Sequence, residues 1–267
     1  MFRPKLSQSL VASIVALACV IAVRALQIPQ LNQLKFAAAT ASPEAFHQEV
    51  ESERLRLNLL NKAPALGFDN LLANWIFLGF LQYFGDEPAR QVTGYELSPA
   101  YFDILVERDP LFLEAYTGLS TSISLYAARP DKSVELMGKG LQAMSPKAPL
   151  RSYYVWRYKA IDELLFFGDA QASSQSFDKA AEWASVYSDE EGKNIAAASR
   201  KTAKFLISNP NSIKPIQEGI WASVLTNAAN TDDRRTLKTA ISRIEALGGK
   251  VSKTPEGNWK VVLPNKS

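Results

Sequence analysis

Apolar residues between positions 108 and 146 recur every three or four residues, the spacing that places side chains on one face of a helix. Pro110 is typical of a helix start, and a turn around Pro130 precedes a second helix that Asp131 is expected to cap. Neither apolar stripe is stable in water alone, so the two helices are predicted to pack as a hairpin. The predicted buried positions are Phe112, Ala115, Tyr116, Leu119, Ile123 and Ala127 in the first helix and Val134, Met137, Gly140 and Leu141 in the second.

Helical spacing continues on both sides of this hairpin, which predicts one helical domain over residues 43–247. Residues 189–207 and 213–229 are predicted to pair as a further hairpin, and Gly248 and Gly249 end the last helix. The other predicted helices cover residues 43–61, 66–84, 150–167 and 232–247. Two return helices are also predicted, one from Ser98 through Leu105 and one lined by Phe177 to Ala184. Three carboxylate clusters are interpreted as caps at helix starts. These clusters are Asp162 with Glu163, Asp189 to Glu191, and Asp232 with Asp233.

The helical period is lost in the tail, residues 248–267. Residues 250–253 and 259–263 flank a Pro-Glu-Gly-Asn sequence at 255–258, which is a turn signal between two short strands. A small β-hairpin is therefore predicted at the end of the domain, with an irregular tail as the alternative.

The central hairpin has the length of a known helical repeat. A period of 36 residues separates Pro110 from Pro146, close to the ~34 residues of a tetratricopeptide repeat. Upstream, a Trp-x-x-Leu-Gly sequence begins at Trp75, although Gln82 stands where the repeat has tyrosine. Over residues 66–230 the chain thus resembles the tetratricopeptide-like family, which implies an all-α solenoid of antiparallel helical hairpins. The residues expected to pack neighbouring hairpins are Trp75, Leu78, Gly79, Tyr116, Leu119, Gly140 and Pro146.

An apolar segment near the N-terminus is predicted to anchor the chain in a membrane. Residues 9–26 form an 18-residue span if Arg24 lies at its edge, within the range that crosses a bilayer. A cleaved signal peptide is the alternative, but the small-residue cleavage sites at 37–41 lie more than ten residues beyond the apolar run. Cys19 raises the alternative of lipidation, although Leu17 stands one place too late for a lipoprotein signal. Residues 27–42 are interpreted as a linker.

The basic residues around this span predict its orientation. Arg3 and Lys5 precede it, whereas Arg24 and Lys35 follow it. Early basic residues favour a cytoplasmic N-terminus, so residues 1–8 are assigned to the cytoplasm and the helical domain to the periplasm or a lumen.

Residues 66–84 are almost as apolar as the anchor but are not predicted to span a membrane. Asp69, Asn70, Asn74 and Gln82 interrupt the segment, and unpaired polar groups are costly in hydrocarbon. A buried solenoid helix is the preferred interpretation.

Two segments carry the residue types that are enriched at protein interfaces. Residues 150–167 combine tyrosines and a tryptophan with basic residues, and the predicted loop 85–97 carries Arg90 and Tyr95. Packing between hairpins and an ordinary loop insertion are the respective alternatives. The predicted partner-binding residues are Tyr153, Tyr154, Trp156, Arg157, Tyr158, Arg90 and Tyr95.

Composition excludes several classes of function. The chain has 267 residues, of which 47% are hydrophobic and 21% charged, so it is not a disordered protein. Cys19 is the single cysteine, which excludes an internal disulfide, and His47 is the single histidine, which excludes the usual zinc frameworks. Neither a catalytic motif nor a cofactor-binding motif occurs in the sequence. Residues 193–267 carry 13 Lys and Arg against 5 Asp and Glu, a net charge of +8. This basic end is either a surface for anionic lipid or an acidic partner, or a solvated helix surface.

These features predict a non-catalytic, membrane-anchored scaffold that binds a membrane-associated protein in a helical-repeat groove, without cofactor, metal or nucleic acid. The whole chain is also similar to single-anchor repeat proteins of cyanobacteria. That resemblance implies a role in assembly or maintenance of photosynthetic or respiratory complexes. An envelope enzyme, or an accessory subunit of one, is the alternative.

Overall fold

The structure is a computed structural model that describes residues 6–40, 42–210, 212–231, 233–255 and 257–263, of which 6–9 and 30–40 by their backbone alone. These residues form twelve α-helices, two π-helical segments and one two-stranded sheet, as the sequence predicts for an all-α chain with a short β-hairpin. The chain divides into two compact units after Ala45.

The α-helices are α1 (Leu6–Thr40), α2 (Pro43–Lys62), α3 (Asp69–Gly85), α4 (Glu87–Thr93), α5 (Ser98–Arg108), α6 (Leu113–Ser120), α7 (Pro130–Ala143), α8 (Tyr153–Asp162), α9 (Ala170–Ala184), α10 (Glu190–Ser208), α11 (Lys214–Asn230) and α12 (Arg234–Ala246). The π-helical segments are π1 (Thr121–Tyr126) and π2 (Glu163–Phe167), and the strands are β1 (Lys250–Lys253) and β2 (Trp259–Val262).

Helix α1 contains the predicted anchor. Its window Leu10–Pro29 has 20 residues with a mean hydropathy of 2.3, none of them buried, and is long and apolar enough to cross a membrane. The helix continues past Pro29 to Thr40, so most of the predicted linker is helical, because its leucine and alanine residues favour the helix. Residues 1–5, with Arg3 and Lys5, lie outside the described residues.

The central hairpin forms as predicted, with different ends. Helix α6 begins at Leu113 rather than at Pro110, because Asp109 Oδ1 accepts the Leu111 N–H at 3.1 Å and closes a turn first. Helix α7 begins at Pro130, which places Asp131 inside its first turn. The predicted cap by Asp131 is therefore wrong, and this carboxylate pairs with Arg129 at 2.8 Å instead. Eight predicted positions are buried, whereas Phe112 and Val134 are only half-buried and Leu136 is buried in addition. The eight are Ala115, Tyr116, Leu119, Ile123, Ala127, Met137, Gly140 and Leu141.

Helices α6 and α8 both end in a π-helical segment, which the sequence pattern did not predict. A π turn is rare and closes i→i+5 hydrogen bonds instead of i→i+4, so the usual helical spacing gives no signal for it. Segment π2 ends at Gly168, whose φ of 68° is left-handed and favours glycine, and Asp169 Oδ1 then caps α9 by accepting Ala172 N–H at 2.9 Å.

A large hydrophobic cluster joins α2, α3 and α5 to the central hairpin and α8. Phe80 of α3 lies within it, with its ring centroid 4.7 Å from that of Phe102 and 5.8 Å from that of Tyr101. The predicted helix over residues 43–61 is confirmed as α2, which buries Phe46, Val50 and Leu57. The predicted loop 85–97 is wrong in part because Asp86 and Pro88 start the short helix α4.

The last helices do not continue the predicted order of hairpins. Helix α11 packs on α12 and on π1 and π2 rather than along α10, so the predicted pairing of residues 189–207 with 213–229 is wrong. Trp221 Nε1 and Gln217 Nε2 both donate to the Phe166 carbonyl, at 3.3 and 3.2 Å, and hold α11 against π2. The β-hairpin forms as predicted, with Lys250 opposite Val262 and Lys253 opposite Trp259.

Candidate functional sites

The aromatic residues of α8 are divided between the interior and the surface. Tyr153 is fully buried; its ring lies edge-on to that of Tyr187, 5.6 Å between centroids, and its hydroxyl donates to Glu191 Oε1 at 2.8 Å. Its prediction as a partner contact is therefore wrong, because the side chain packs α8 against the start of α10.

Three predicted contact residues share a half-buried face of α8. The rings of Tyr154 and Tyr158 stack with centroids 6.2 Å apart, and Arg157 Nη1 donates to Ser199 Oγ of α10 at 2.9 Å. Their partial exposure is compatible with a partner contact, which stays a prediction.

Trp156 lies on the opposite side of α8, in a groove beside α9 with a cavity of about 500 Å³. Its indole Nε1–H is buried without a hydrogen-bond partner in the part of the chain that the structure describes. Lys159 and Glu163, which also line the groove, form an ion pair, and Ser176 Oγ donates to Glu163 Oε2 at 2.6 Å. The groove is therefore lined by the Trp156 ring and by side chains of both charges.

Asp162 directly precedes Glu163 of the groove in the sequence, but its own side chain is buried in the core. It accepts three hydroxyl hydrogen bonds, from Ser120 at 2.5 Å and from Ser124 and Ser133 at 2.6 Å each. Burial raises the pKa of Asp162 above its ordinary value although the three serine bonds oppose the shift. Its interpretation as a helix cap is wrong, because it lies at the junction of α8 and π2.

The other two clusters differ. Asp189 Oδ1 accepts Gly192 N–H at 2.8 Å and Asp233 Oδ1 accepts Thr236 N–H at 3.0 Å, so both cap helices as predicted. Asp232 lies outside the described residues.

Two predicted contact residues between α3 and α5, Arg90 and Tyr95, pack against neighbouring side chains instead of extending into solvent. Arg90 is 4% exposed, and Tyr95 packs its ring against Phe84 and Tyr126 at centroid distances of 5.0 and 4.7 Å. For Arg90 the prediction of a surface contact is wrong, because α4 folds its side chain onto Tyr83.

Helix α3 leaves an apolar face in water. Phe68, Leu71, Trp75 and Leu78 follow one another at helical spacing and are 64%, 66%, 52% and 58% exposed. We call these four residues the α3 apolar face. Trp75 and Leu78 were expected to pack inside a repeat, which is wrong, because α3 buries its other side. That side consists of Ala73, Ile76, Phe80 and Tyr83.

The remaining expected packing residues lie at helix contacts. Tyr116 and Leu119 are buried, Gly140 lies against the Tyr116 ring, and the Pro146 carbonyl accepts the Tyr187 hydroxyl at 2.8 Å. Gly79 faces Arg56 and Tyr101 in a cavity of the N-terminal helices rather than a neighbouring hairpin.

Sequence reasoning missed the α3 apolar face and the serine-bound Asp162. Residues 66–84 are apolar on all sides, which is typical of a fully buried helix, so the pattern does not tell the exposed side from the buried one. A signal for Asp162 exists only in retrospect, as serines at the small positions of the two preceding helices.

The described residues contain no group of three or more His, Cys, Asp or Glu side chains placed to hold a metal ion. Comparison of the chain with protein-family models, curated proteins and solved structures finds no match in any of the three.

Proposed function

We propose that this chain is a single-span membrane protein that binds another membrane-associated protein through the α3 apolar face. The exposure of Phe68, Leu71, Trp75 and Leu78 carries the proposal. Each large apolar side chain left in water forfeits about 1.5–3 kcal/mol relative to burial, so a contiguous stripe of four is a favourable surface for association. Tryptophan and phenylalanine are also among the side chains enriched at protein interfaces.

The polar neighbours of the stripe favour a protein over the lipid core as its partner. Asn74 and Gln82 are exposed beside the α3 apolar face. A carboxamide has two donor hydrogens and an acceptor oxygen, which a polypeptide can pair and hydrocarbon cannot. Arg56 lies over the Trp75 ring at 5.3 Å, which adds a cation at the rim.

The anchor would tether the helical domain to a bilayer. The apolar window ends at Pro29 and α2 begins at Pro43, so residues 30–42 alone connect them. In the proposed orientation the N-terminus is cytoplasmic and the helical domain lies in the periplasm or a lumen. A partner embedded in the same membrane then meets the α3 apolar face at a high effective concentration.

Helices α6 to α10 would form the tetratricopeptide-like part of the scaffold. Helix α8 packs on α6, α7 and α9, and α9 packs on α10, which is the neighbour-to-neighbour order of stacked hairpins. The α8–α9 groove, which is lined by Trp156 and by side chains of both charges, would be a second place for a partner segment. Asp162 is enclosed by serines and gives no support to the alternative of an envelope enzyme.

Site-specific photo-crosslinking in native membranes tests the proposal. A benzophenone amino acid replaces Leu71 or Leu78 of the full-length chain, and Leu150, which is 67% exposed outside this face, serves as the matched position. We expect one discrete adduct with a second polypeptide from positions 71 and 78 and none from 150. Trp75→Asp should reduce that adduct at least roughly tenfold, as for an interface hot spot.

Three outcomes would overturn the proposal. Adducts with lipid alone would assign the face to the bilayer, and an adduct of two copies of this chain would assign it to self-association. Equal adducts from all three positions would indicate non-specific contact.

A further inference from the structure

A small polar cavity lies among α2, α3, α4 and α5, apart from the α8–α9 groove. Its volume is about 160 Å³, the liquid volume of about five waters, which suits a ligand of about five to seven non-hydrogen atoms. The charged residues that line it are Glu49, Glu53, Arg56, Asp86 and Arg90.

Arg90 is the unusual member of this set, because it is 4% exposed and yet incompletely paired. Its guanidinium carbon lies 3.9 Å from the centroid of the Tyr83 ring, and Nη1 donates to the Gly94 carbonyl at 3.0 Å. Nε is buried without a partner, and no carboxylate among the described residues lies within ion-pair distance. A buried cation without a counter-charge is costly, so an anion beside it would be favourable.

Glu53, whose charge interacts with that of Arg90, already has other hydrogen-bond partners. Arg56 Nε donates to Glu53 Oε2 at 2.7 Å, and the Tyr101 hydroxyl donates to Glu53 Oε1. Burial alone would raise the pKa of Glu53, but the bonds from Arg56 and Tyr101 outweigh it and hold that pKa below its ordinary value. Glu53 therefore stays ionised and bonded to these two donors, and it forms no ion pair with Arg90.

Two further carboxylates, Glu49 and Asp86, add hydrogen-bond acceptors and negative charge to the cavity wall. Glu49 is exposed and Asp86 half-buried, and only one oxygen of Asp86 is used, to cap Ala89 N–H at 3.4 Å. Carboxylates accept hydrogen bonds from ammonium and hydroxyl groups. Their charge also repels a dianion such as phosphate.

We propose that this cavity binds a small α-amino acid or α-hydroxy acid. The ligand carboxylate would pair with the Arg90 guanidinium, and its amino or hydroxyl group would face Glu49 and Asp86. The volume limits the ligand to about the size of glycine, alanine, serine or lactate. This proposal does not depend on the α3 apolar face or on a protein partner.

Binding is measured by calorimetry and thermal unfolding of the full-length chain in detergent. The probes are glycine, alanine, serine and lactate, with acetate, ethylammonium and inorganic phosphate as controls that carry only part of the ligand chemistry. We expect saturable binding of at least one amino or hydroxy acid below about 10 mM, and at least tenfold weaker binding of the three controls.

Variants then assign the binding to the cavity. Glu49→Gln should weaken an amino acid about tenfold, whereas Glu51→Gln, on the same helix but outside the cavity lining, should leave the affinity within about twofold. Arg90→Gln should abolish binding; because it alters a buried residue, the exposed Glu49 variant provides the test that does not depend on folding. No binding of any acid at about 10 mM, equal binding by Glu49→Gln, or tighter binding of phosphate or acetate would overturn the proposal.

Discussion

At the scale of single residues, Asp162 is a buried carboxylate whose hydrogen-bond partners are all serine hydroxyls. Three serine hydroxyls from the central hairpin donate to one carboxylate at 2.5–2.6 Å, and the side chain is fully buried. Because these donors come from α6, π1 and α7, the carboxylate links three consecutive elements to the end of α8. Such a network is stable only when every member is satisfied.

The titration of Asp162 should make stability depend on pH. Burial raises its folded pKa above the ordinary value, so the folded state keeps the proton to a higher pH than the unfolded state does. The contribution of this proton to stability is therefore complete below about pH 4 and is lost as the pH rises through the folded pKa. Asp162→Asn cannot titrate, so its unfolding temperature should rise relative to the natural chain as the pH increases above about 4.

Circular dichroism melts of the two chains in detergent at several pH values provide the measurement. Asp178→Asn, at an exposed position of α9, is the control and should follow the natural chain throughout. A difference between Asp162→Asn and the natural chain that stays constant with pH would contradict this account.

At the scale of helices, the contact of α6 with α7 requires a residue without a side chain, Gly140. A Cβ added to Gly140 would lie 2.6 Å from Tyr116 Cζ, and the Tyr116 ring is itself 1% exposed and cannot move aside. The small residue that the repeat resemblance expects at this position therefore allows the two helices to approach.

Gly140→Ala should destabilise the fold by about 1–3 kcal/mol, the usual effect of overpacking a filled contact. Gly138→Ala is the matched variant in the same helix, because its Cβ would meet only Lys159 Cε at 4.0 Å. It should stabilise the chain by up to about 1 kcal/mol, since alanine favours a helix over glycine. Urea denaturation of both variants checks the prediction. Equal changes in the free energy of unfolding would show that α6 and α7 can move apart to accommodate the added methyl group.

At the scale of the whole molecule, α11 and α12 return to the π-helical ends of earlier helices. A solenoid would place each new hairpin against the one before it. Here Trp221, Val224 and Leu225 of α11 form a cluster with Phe166 of π2, so the last helices cover a middle part of the chain. Removal of these helices should destabilise π2 rather than the end of α10.

A chain that ends at Asn209 tests this arrangement. Without α11 the Phe166 carbonyl loses the donors Trp221 and Gln217, so hydrogen exchange in residues 163–167 should accelerate at least roughly tenfold. Exchange in the first half of α10 should change little. Mass spectrometry of exchanged peptides provides the measurement, and acceleration confined to α10 would favour a simple solenoid.

Local sequence determined most of the elements of this protein. Helical spacing located α2, α3 and α7, the aspartates at 189 and 233 marked helix starts, and the turn signal at 255–258 located the β-hairpin. The apolar run near the N-terminus likewise identified the one candidate span among the described residues. These features depend on neighbours within a few residues, so a single sequence contains them.

Tertiary structure decided which sides of those elements are buried and which elements meet. Residues 66–84 are apolar all round, and only packing on α2 and α5 selects the buried side and leaves Trp75 exposed. The burial of Asp162 and Arg90 and the return of α11 to π2 depend on residues about 30 to 55 positions away or on packing of whole helices. Local periodicity carries no information on such distant contacts, because many pairings bury a similar apolar area.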